Sequence, residues 1–204
     1  MLTNRTRSLL HGLLCATYCA GLSAQSALPE ATVLRIANEV RKQIVTLPEY
    51  GVFDDIHFAI KGSTVILKGD ASRPTLKSSA ENVVKKIEGV SNVQNEINVL
   101  PLSPNDDRIR AAVYARIYRA PSLQRYTSNR GPWFNSSVRR TMGITNDPPI
   151  GWHAIHIIVK AGNVTLKGTV DNSGDLAIAG MQANMTPGVF SVDNDLQVVK
   201  ADKS

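Results

Sequence analysis

The chain has 204 residues, a formal net charge of +6 at pH 7 and two cysteines, Cys15 and Cys19. Both cysteines lie near the N-terminus, so a disulfide framework, thiol catalysis and a cysteine metal site are excluded for the rest of the chain. The length accommodates one or two domains of ordinary size.

The first 24 residues have the features of a secretory signal peptide. Arg5 and Arg7 form a basic start, residues 9–22 are mostly apolar, and Ser23 and Ala24 are small enough for signal peptidase. The apolar run is interrupted and shorter than the roughly 18 residues that a transmembrane helix needs. We expect cleavage after Ala24, which predicts an exported, periplasmic protein with no thiol and no transmembrane span.

A first group of elements follows the signal peptide. Apolar residues at steps of three and four predict a helix that Pro48 ends, with the stripe Val33, Ile36, Val40, Ile44 and Leu47. Alternation then predicts a half-buried strand, with its apolar face formed by Ile56, Phe58 and Ile60. A turn at Gly62-Ser63 leads to a second strand in which Val65 and Leu67 share that face, so the pair is predicted to form a hairpin.

A second helix and a third strand complete the group. Ser72-Arg73-Pro74 is typical of a helix start with Ser72 as the cap, and Gly89 is predicted to end the helix. A last strand is indicated by Val93, Ile97 and Val99. The predicted order is helix, strand, strand, helix, strand.

The same order is predicted again after the short linker Pro101–Asn105. Asn105 or Asp106 is expected to cap a helix that Pro121 ends, with the buried stripe Ile109, Val113 and Ile117. A hairpin turning at residues 161–163 and a helix over residues 174–186 follow. Leu166 is predicted to point inward and Lys167 outward.

These two groups are copies of one unit. Residues 56–69 match residues 155–168, and residues 89–99 match residues 188–198, both without a gap and at an offset of 99. The fold class is therefore α+β, with two αββαβ domains over residues 28–101 and 105–200.

Both copies resemble the BON domain, the bacterial osmotic-shock and nodulation domain. The resemblance rests on the hairpin ends Val65–Gly69 and Val164–Gly168, each followed by a helix and the motif Gly-Val-x-x-Val-x-Asn-x-(Ile/Leu)-x-Val. It implies two helices on a three-stranded sheet in each copy, and an exported envelope protein that binds phospholipid or another envelope surface. It implies no catalytic residue and no cofactor.

Four residues match the family's motif positions, namely Gly69, Gly168, Asn95 and Asn194. A glycine leaving a strand usually marks a bulge or a close backbone approach, and an asparagine there usually bonds to local backbone. We expect structural roles for all four.

An insertion of 26 residues distinguishes the second copy, because the helices are offset by 73 and the hairpins by 99. It runs from about residue 119 to 150 and contains one acid, Asp147, among several arginines and aromatics. Residues 25–104 carry nine basic and nine acidic side chains, so the net positive charge lies in the second half. The candidate binding residues are Arg125, Arg130, Trp133, Phe134, Arg139 and Arg140.

Three interpretations of this insertion remain open. Its arginines and aromatics fit the interface of an anionic membrane, they fit a protein-docking loop, and they also fit a solvated segment that covers one edge of the domain. Nucleic acid is not expected for an exported protein.

No enzyme signature is present. His153 and His156 are three residues apart and are expected on opposite faces of a strand, which disfavours a metal pair. The predicted function is a non-enzymatic envelope protein that binds anionic phospholipid and supports envelope integrity or a stress response. The alternative is a structural adaptor that docks another envelope protein.

Overall fold

A computed structural model describes residues 28–128, 149 and 151–199. The first unit consists of α1 (Glu30–Val45), β1 (Asp55–Lys61), β2 (Thr64–Ala71), α2 (Pro74–Val84) and β3 (Asn92–Val99). The second consists of α3 (Pro104–Arg119), a 3-10 helix (Pro121–Tyr126), β4 (Ile155–Lys160), β5 (Asn163–Val170), α4 (Ser173–Asn184), β6 (Ser191–Asn194) and β7 (Gln197–Val198). The predicted α+β class and the repeated αββαβ order are confirmed.

Both sheets have the same topology. β1 and β4 lie at an edge and pair antiparallel with the central strands β2 and β5. The crossover through α2 or α4 then brings the last strand parallel to the central strand. In the second unit this last strand is divided into β6 and β7, both of which pair with β5.

Each unit has its own apolar core, which contains the middle of the predicted α1 stripe, whereas Val33 and Leu47 at its two ends are only half-buried. Ile36, Val40 and Ile44 on α1 are at most 2% exposed. Leu166 is fully buried in the second core, whereas the Lys167 side chain is 30% exposed. The alternation of the hairpin strands is therefore in the predicted register.

Two helices begin differently from the prediction. The cap of α3 is Ser103, whose Oγ accepts a hydrogen bond from the Asp106 N–H at 3.2 Å, so Pro104 and Asn105 belong to the helix and not to the linker. α2 begins after Arg73, and the backbone N–H of Ser72 instead donates to Asp54 Oδ1 at 2.6 Å. The sequence pattern located both starts to within three residues.

Asp106 has a different structural role from the predicted cap. Its side chain is 2% exposed, and its two carboxylate oxygens accept hydrogen bonds from the N–H groups of Ala161 and Gly162, both at 2.9 Å. Because these residues form the β4–β5 turn, Asp106 fixes the turn to the start of α3.

The two units are joined through a segment of the first unit, residues 50–54, which we call the Phe53 segment. Val52 and Phe53 are at most 1% exposed and lie in the core of the second unit. The Ile157 N–H donates to the Val52 carbonyl at 2.8 Å, and the Phe53 ring centre is 6.2 Å from that of Tyr114. Packing therefore fixes one unit against the other.

Candidate functional site between the two units

A cleft of about 480 Å³ opens between the two units, beside the Phe53 segment. We call it the interdomain cleft. Its walls come from α1 and β1 on one side and from the start of β4 on the other. Its lining includes Arg41, Val45, Tyr50, Phe58, Trp152 and His156.

The internal repeat relates the two sides of this interface. Trp152 is equivalent to Phe53 by the hairpin offset of 99, and Tyr114 is equivalent to Arg41 by the helix offset of 73. Phe53 is 1% exposed against Tyr114, whereas Trp152 is 59% exposed beside Arg41. One half of the interface is therefore closed by an aromatic side chain, and the equivalent half is open.

His153 lines the interdomain cleft and also contacts Tyr114 in the closed half, and its two hydrogen bonds fit the neutral imidazole. Its Nδ1–H donates to the Gly151 carbonyl at 2.8 Å, and its Nε2 accepts from the Tyr114 hydroxyl at 3.0 Å. The ring also contacts Tyr118 edge-on, with ring centres 5.2 Å apart. Burial, opposed by the Gly151 hydrogen bond, lowers the pKa of His153 to about 4.

His156 faces the first unit. Its ring centre is 5.6 Å from that of Tyr50. Burial lowers the pKa of His156, and the nearby Asp55 carboxylate only partly opposes that effect. Its Nδ1 atom is buried and has no hydrogen-bond partner among the described residues. Within that part of the chain no three histidine, cysteine or carboxylate side chains converge as a metal site.

The start of the insertion packs onto the second unit. Leu123 and Tyr126, in the 3-10 helix, are at most 4% exposed. The Tyr126 hydroxyl donates to Asp175 Oδ2 at 2.7 Å and accepts from the Asp171 N–H at 2.8 Å. Arg125 makes ion pairs with the same two acids, at 2.8 Å to Asp171, and is 48% exposed.

The described residues on either side of residues 129–150 pair with each other. The Ser128 N–H donates to the Trp152 carbonyl at 3.0 Å, and the Trp152 N–H donates to Ser128 Oγ at 2.8 Å. Thr127 and His153 form a β-bridge beside them. Five predicted binding residues, Arg130, Trp133, Phe134, Arg139 and Arg140, lie outside the described residues.

Gly69 and Gly168 occupy equivalent positions where the chain passes close to another backbone. Their φ angles are +112° and +113°, and a Cβ atom at either would lie 2.0 Å from a carbonyl oxygen, of Asp55 or Ala154. Only glycine fits such a position.

Asn95 and Asn194 connect the last strand of each unit to its second helix. Asn95 Nδ2 donates to the Lys77 carbonyl at 2.9 Å, and Asn194 Nδ2 donates to the Leu176 carbonyl at 2.8 Å. Asn95 also donates to Glu81, whereas the second unit has Gly180 at the equivalent position. A Cβ at Gly180 would lie 2.8 Å from Asn194 Nδ2.

The sequence did not single out the residues of the interdomain interface. Phe53 and Trp152 could have been found, because aligning the hairpins at an offset of 99 places the two aromatics opposite each other. Arg110 had no such signal. It is 1% exposed on α3, with Nη1 2.6 Å from Asp107 and Nη2 2.7 Å from the Val159 carbonyl.

The BON domain model matches residues 33–101 and 135–200, which together exceed half of the chain. The chain therefore belongs to the BON domain family and carries two copies. BON domains are in general non-catalytic and are associated with periplasmic or envelope proteins, including phospholipid-binding ones. No curated protein matches the chain. None of the described helices is long and apolar enough to cross a membrane.

Two solved structures with similarity to the chain come from CdsD, a structural protein of the type III secretion system of Chlamydia trachomatis. The first is 11% identical, covers 82% of this chain and 94% of its own, and has a TM-score of 0.27. The second, the CdsD C-terminal domain, is 12% identical, covers 80% and 96%, and has a TM-score of 0.25. At these values the likeness carries no functional conclusion.

Proposed function

We propose that the protein is a periplasmic, non-enzymatic component of the cell envelope that binds anionic phospholipid through the insertion of its second BON domain. The supporting observation is the composition of that insertion, which combines arginines with Trp133 and Phe134. Arginines near an anionic surface contribute about 1 kcal/mol each, and aromatic rings favour the membrane interface.

The described ends of the insertion support a binding loop. Tyr126 anchors its start, and the backbone pairing of Ser128 with Trp152 brings its two ends together. Ser128 and Trp152, on either side of residues 129–150, are therefore adjacent. Arg125 is already paired with two carboxylates, so in this proposal the attraction to lipid rests mainly on Arg130, Arg139 and Arg140.

Co-sedimentation of the mature chain with vesicles tests the proposal, using phosphatidylcholine alone and with added phosphatidylglycerol. We expect binding only with the anionic lipid, and weaker binding at higher salt because exposed charges are screened over roughly 8 to 10 Å. Replacing Arg130, Arg139 and Arg140 with Ala should weaken binding and flatten its salt dependence. Trp133→Ala should weaken binding at low and high salt alike, since an interfacial aromatic contributes apolar burial.

A triple variant of the first unit is the matched control. Replacing Lys42, Lys61 and Lys86 with Ala removes the same charge from exposed sites outside the insertion. If both triple variants lost binding equally, net charge and not the insertion would be responsible. If neither the arginine variant nor Trp133→Ala changed binding while the fold was retained, the insertion would have no role in it.

A further inference from the structure

The outer edge of β4, the side that faces away from β5, is closed by other groups of the protein. The Tyr118 hydroxyl donates to the Ile155 carbonyl at 2.6 Å and accepts from the Ile155 N–H at 3.3 Å. The Val52 carbonyl accepts from the Ile157 N–H at 2.8 Å, and Arg110 Nη2 donates to the Val159 carbonyl at 2.7 Å. Each outward-facing residue of β4 therefore has a partner.

Beyond Ile56, the equivalent edge of β1 lacks such groups. The pairing registers of the two hairpins are the same, so Ile56, Phe58 and Ile60 face outward as Ile155, Ile157 and Val159 do. Val45 stands where the second unit has Tyr118, and Ala37 stands where it has Arg110. Tyr50 covers the start of this edge, because its hydroxyl lies near the Ile56 N–H. Burial raises the pKa of that hydroxyl. Among the described residues no group bonds to the outward backbone of Phe58 or Ile60.

An unpaired edge of this kind accepts an added strand. Exposed N–H and C=O groups on an edge strand pair readily with another extended chain, and several peptide-binding domains use this mode. Lipid acyl chains carry no groups that could pair with Phe58 or Ile60, so a polypeptide is the better fit to this edge.

The walls beside the edge indicate which side chains the added strand would carry. Val45 is 55% exposed and Trp152 is 59% exposed, and both line the interdomain cleft together with Arg41. At the equivalent position on β4 the turn Gly51–Asp54 covers the edge, because the Val52 carbonyl bonds to the Ile157 N–H and Phe53 packs against Tyr114. Phe53 is followed by two acids, Asp54 and Asp55.

We propose that the outer edge of β1 at Phe58 and Ile60, with Arg41, Val45 and Trp152 beside it, binds an extended segment of a partner protein. That segment carries an aromatic side chain next to a carboxylate. The aromatic ring packs on Val45 and Trp152, and Arg41 pairs with the carboxylate or stacks on the ring. This site does not depend on lipid binding.

The test uses the mature chain with Trp133→Phe, so that Trp152 is its only tryptophan. The probe is a synthetic peptide with the sequence of residues 49–55, which carries a Phe next to two Asp. We expect a blue shift of the Trp152 emission, and changes in the ¹⁵N amide shifts of Phe58 and Ile60. A peptide of the same composition in scrambled order should produce neither.

A double variant places at the β1 edge the two side chains, Arg and Tyr, that cover the β4 edge. Ala37→Arg with Val45→Tyr should weaken peptide binding at least tenfold. Leu34→Tyr, at a 57% exposed position on α1 outside the cleft, is the matched control and should bind as the parent protein does. Trp152→Ala should also weaken binding, as measured by the amide shifts of Phe58 and Ile60. This second test remains valid if the double variant does not fold.

Four outcomes would overturn the proposal. The first is the absence of any change at Phe58 and Ile60 with millimolar peptide. The second is a change at Ile157 instead, which would mean that the peptide displaces the Phe53 segment. The third is equal binding by the folded double variant. The fourth is a dependence of the Phe58 and Ile60 shifts on protein concentration without peptide, which would assign the edge to a second copy of the chain.

Discussion

Gly62 and Ala161 occupy equivalent positions in the two hairpin turns, and both have left-handed backbone. Their φ angles are +56° and +51°. For an L-residue with a Cβ atom this conformation costs roughly 1 to 2 kcal/mol, whereas glycine adopts it freely. The second unit tolerates alanine there because the Asp106 carboxylate bonds to both N–H groups of the turn.

Replacing Ala161 with Gly should therefore stabilise the protein. We expect the free energy of unfolding to rise by about 0.5 to 1 kcal/mol, since relief of strain exceeds the added entropy of the unfolded chain. The reciprocal change Gly62→Ala should lower it by about 1 kcal/mol, because nothing lies within 4 Å of the added Cβ and only the backbone strain remains. Urea denaturation of both variants measures the two values. A destabilised Ala161→Gly protein would contradict this account of the turn.

Neighbouring residues on β5 should respond in opposite ways to truncation. Leu166 is fully buried, so Leu166→Ala should cost about 2 to 5 kcal/mol of unfolding free energy. Lys167 is 30% exposed at 3.7 Å from Asp55 and 3.8 Å from Asp195, and Lys167→Ala should cost within about 0.5 kcal/mol. Chemical denaturation of the pair provides the comparison, and reversed magnitudes would place the strand one residue out of register.

The elements themselves were predictable from the sequence, because each depends on a local pattern. The stripe Ile36, Val40 and Ile44 was enough to place α1, and the turn at Gly62 placed the first hairpin. Helix caps were less predictable, since Ser103, Asn105 and Asp106 are all suitable cap residues and only tertiary contacts select among them. The interdomain site was not predicted, because Phe53 and Trp152 acquire their roles only when the two units meet.

One contact between elements makes the second unit sensitive to acid. His153 joins the start of β4 to Tyr114 on α3 in its neutral form, and its pKa is about 4 against the ordinary 6.5. A histidine whose folded pKa is lowered stabilises the fold above its unfolded pKa. That stability is lost as the pH falls, because the unfolded chain binds the proton first.

We therefore expect the free energy of unfolding to decrease between about pH 6.5 and pH 4, by up to about 3 kcal/mol from His153. His156 contributes in the same direction, while the raised pKa of Asp54 acts in the opposite one. Comparing the parent protein with His153→Gln by denaturation across this range isolates the histidine. An unchanged pH profile in the variant would show that His153 does not cause the loss.

At the scale of the whole molecule the two units depend on each other unequally. The core of the first unit is complete without any residue of the second. The core of the second unit includes Val52 and Phe53 from the first. The first unit thus contributes two apolar side chains, Val52 and Phe53, to the core of its neighbour and not to its own.

Residues 28–101 should consequently fold alone with one cooperative transition, which circular dichroism during thermal unfolding would detect. Residues 102–199 alone should be less stable, since the missing Phe53 leaves a cavity beside Tyr114 and a buried aromatic contributes about 3 to 5 kcal/mol. A first unit without native-like secondary structure would show that it requires the second. The sequence duplication would stand in either case.

Because Phe53 is buried in the second unit, the two units are held together by contacts as well as by the covalent linker. Leu102, in the short connection before α3, is 84% exposed and accessible to a protease. Cutting there would remove the covalent link but leave the Val52 and Phe53 contacts intact. The two halves of a nicked chain would then remain together through gel filtration, and separately expressed halves would reassemble on mixing.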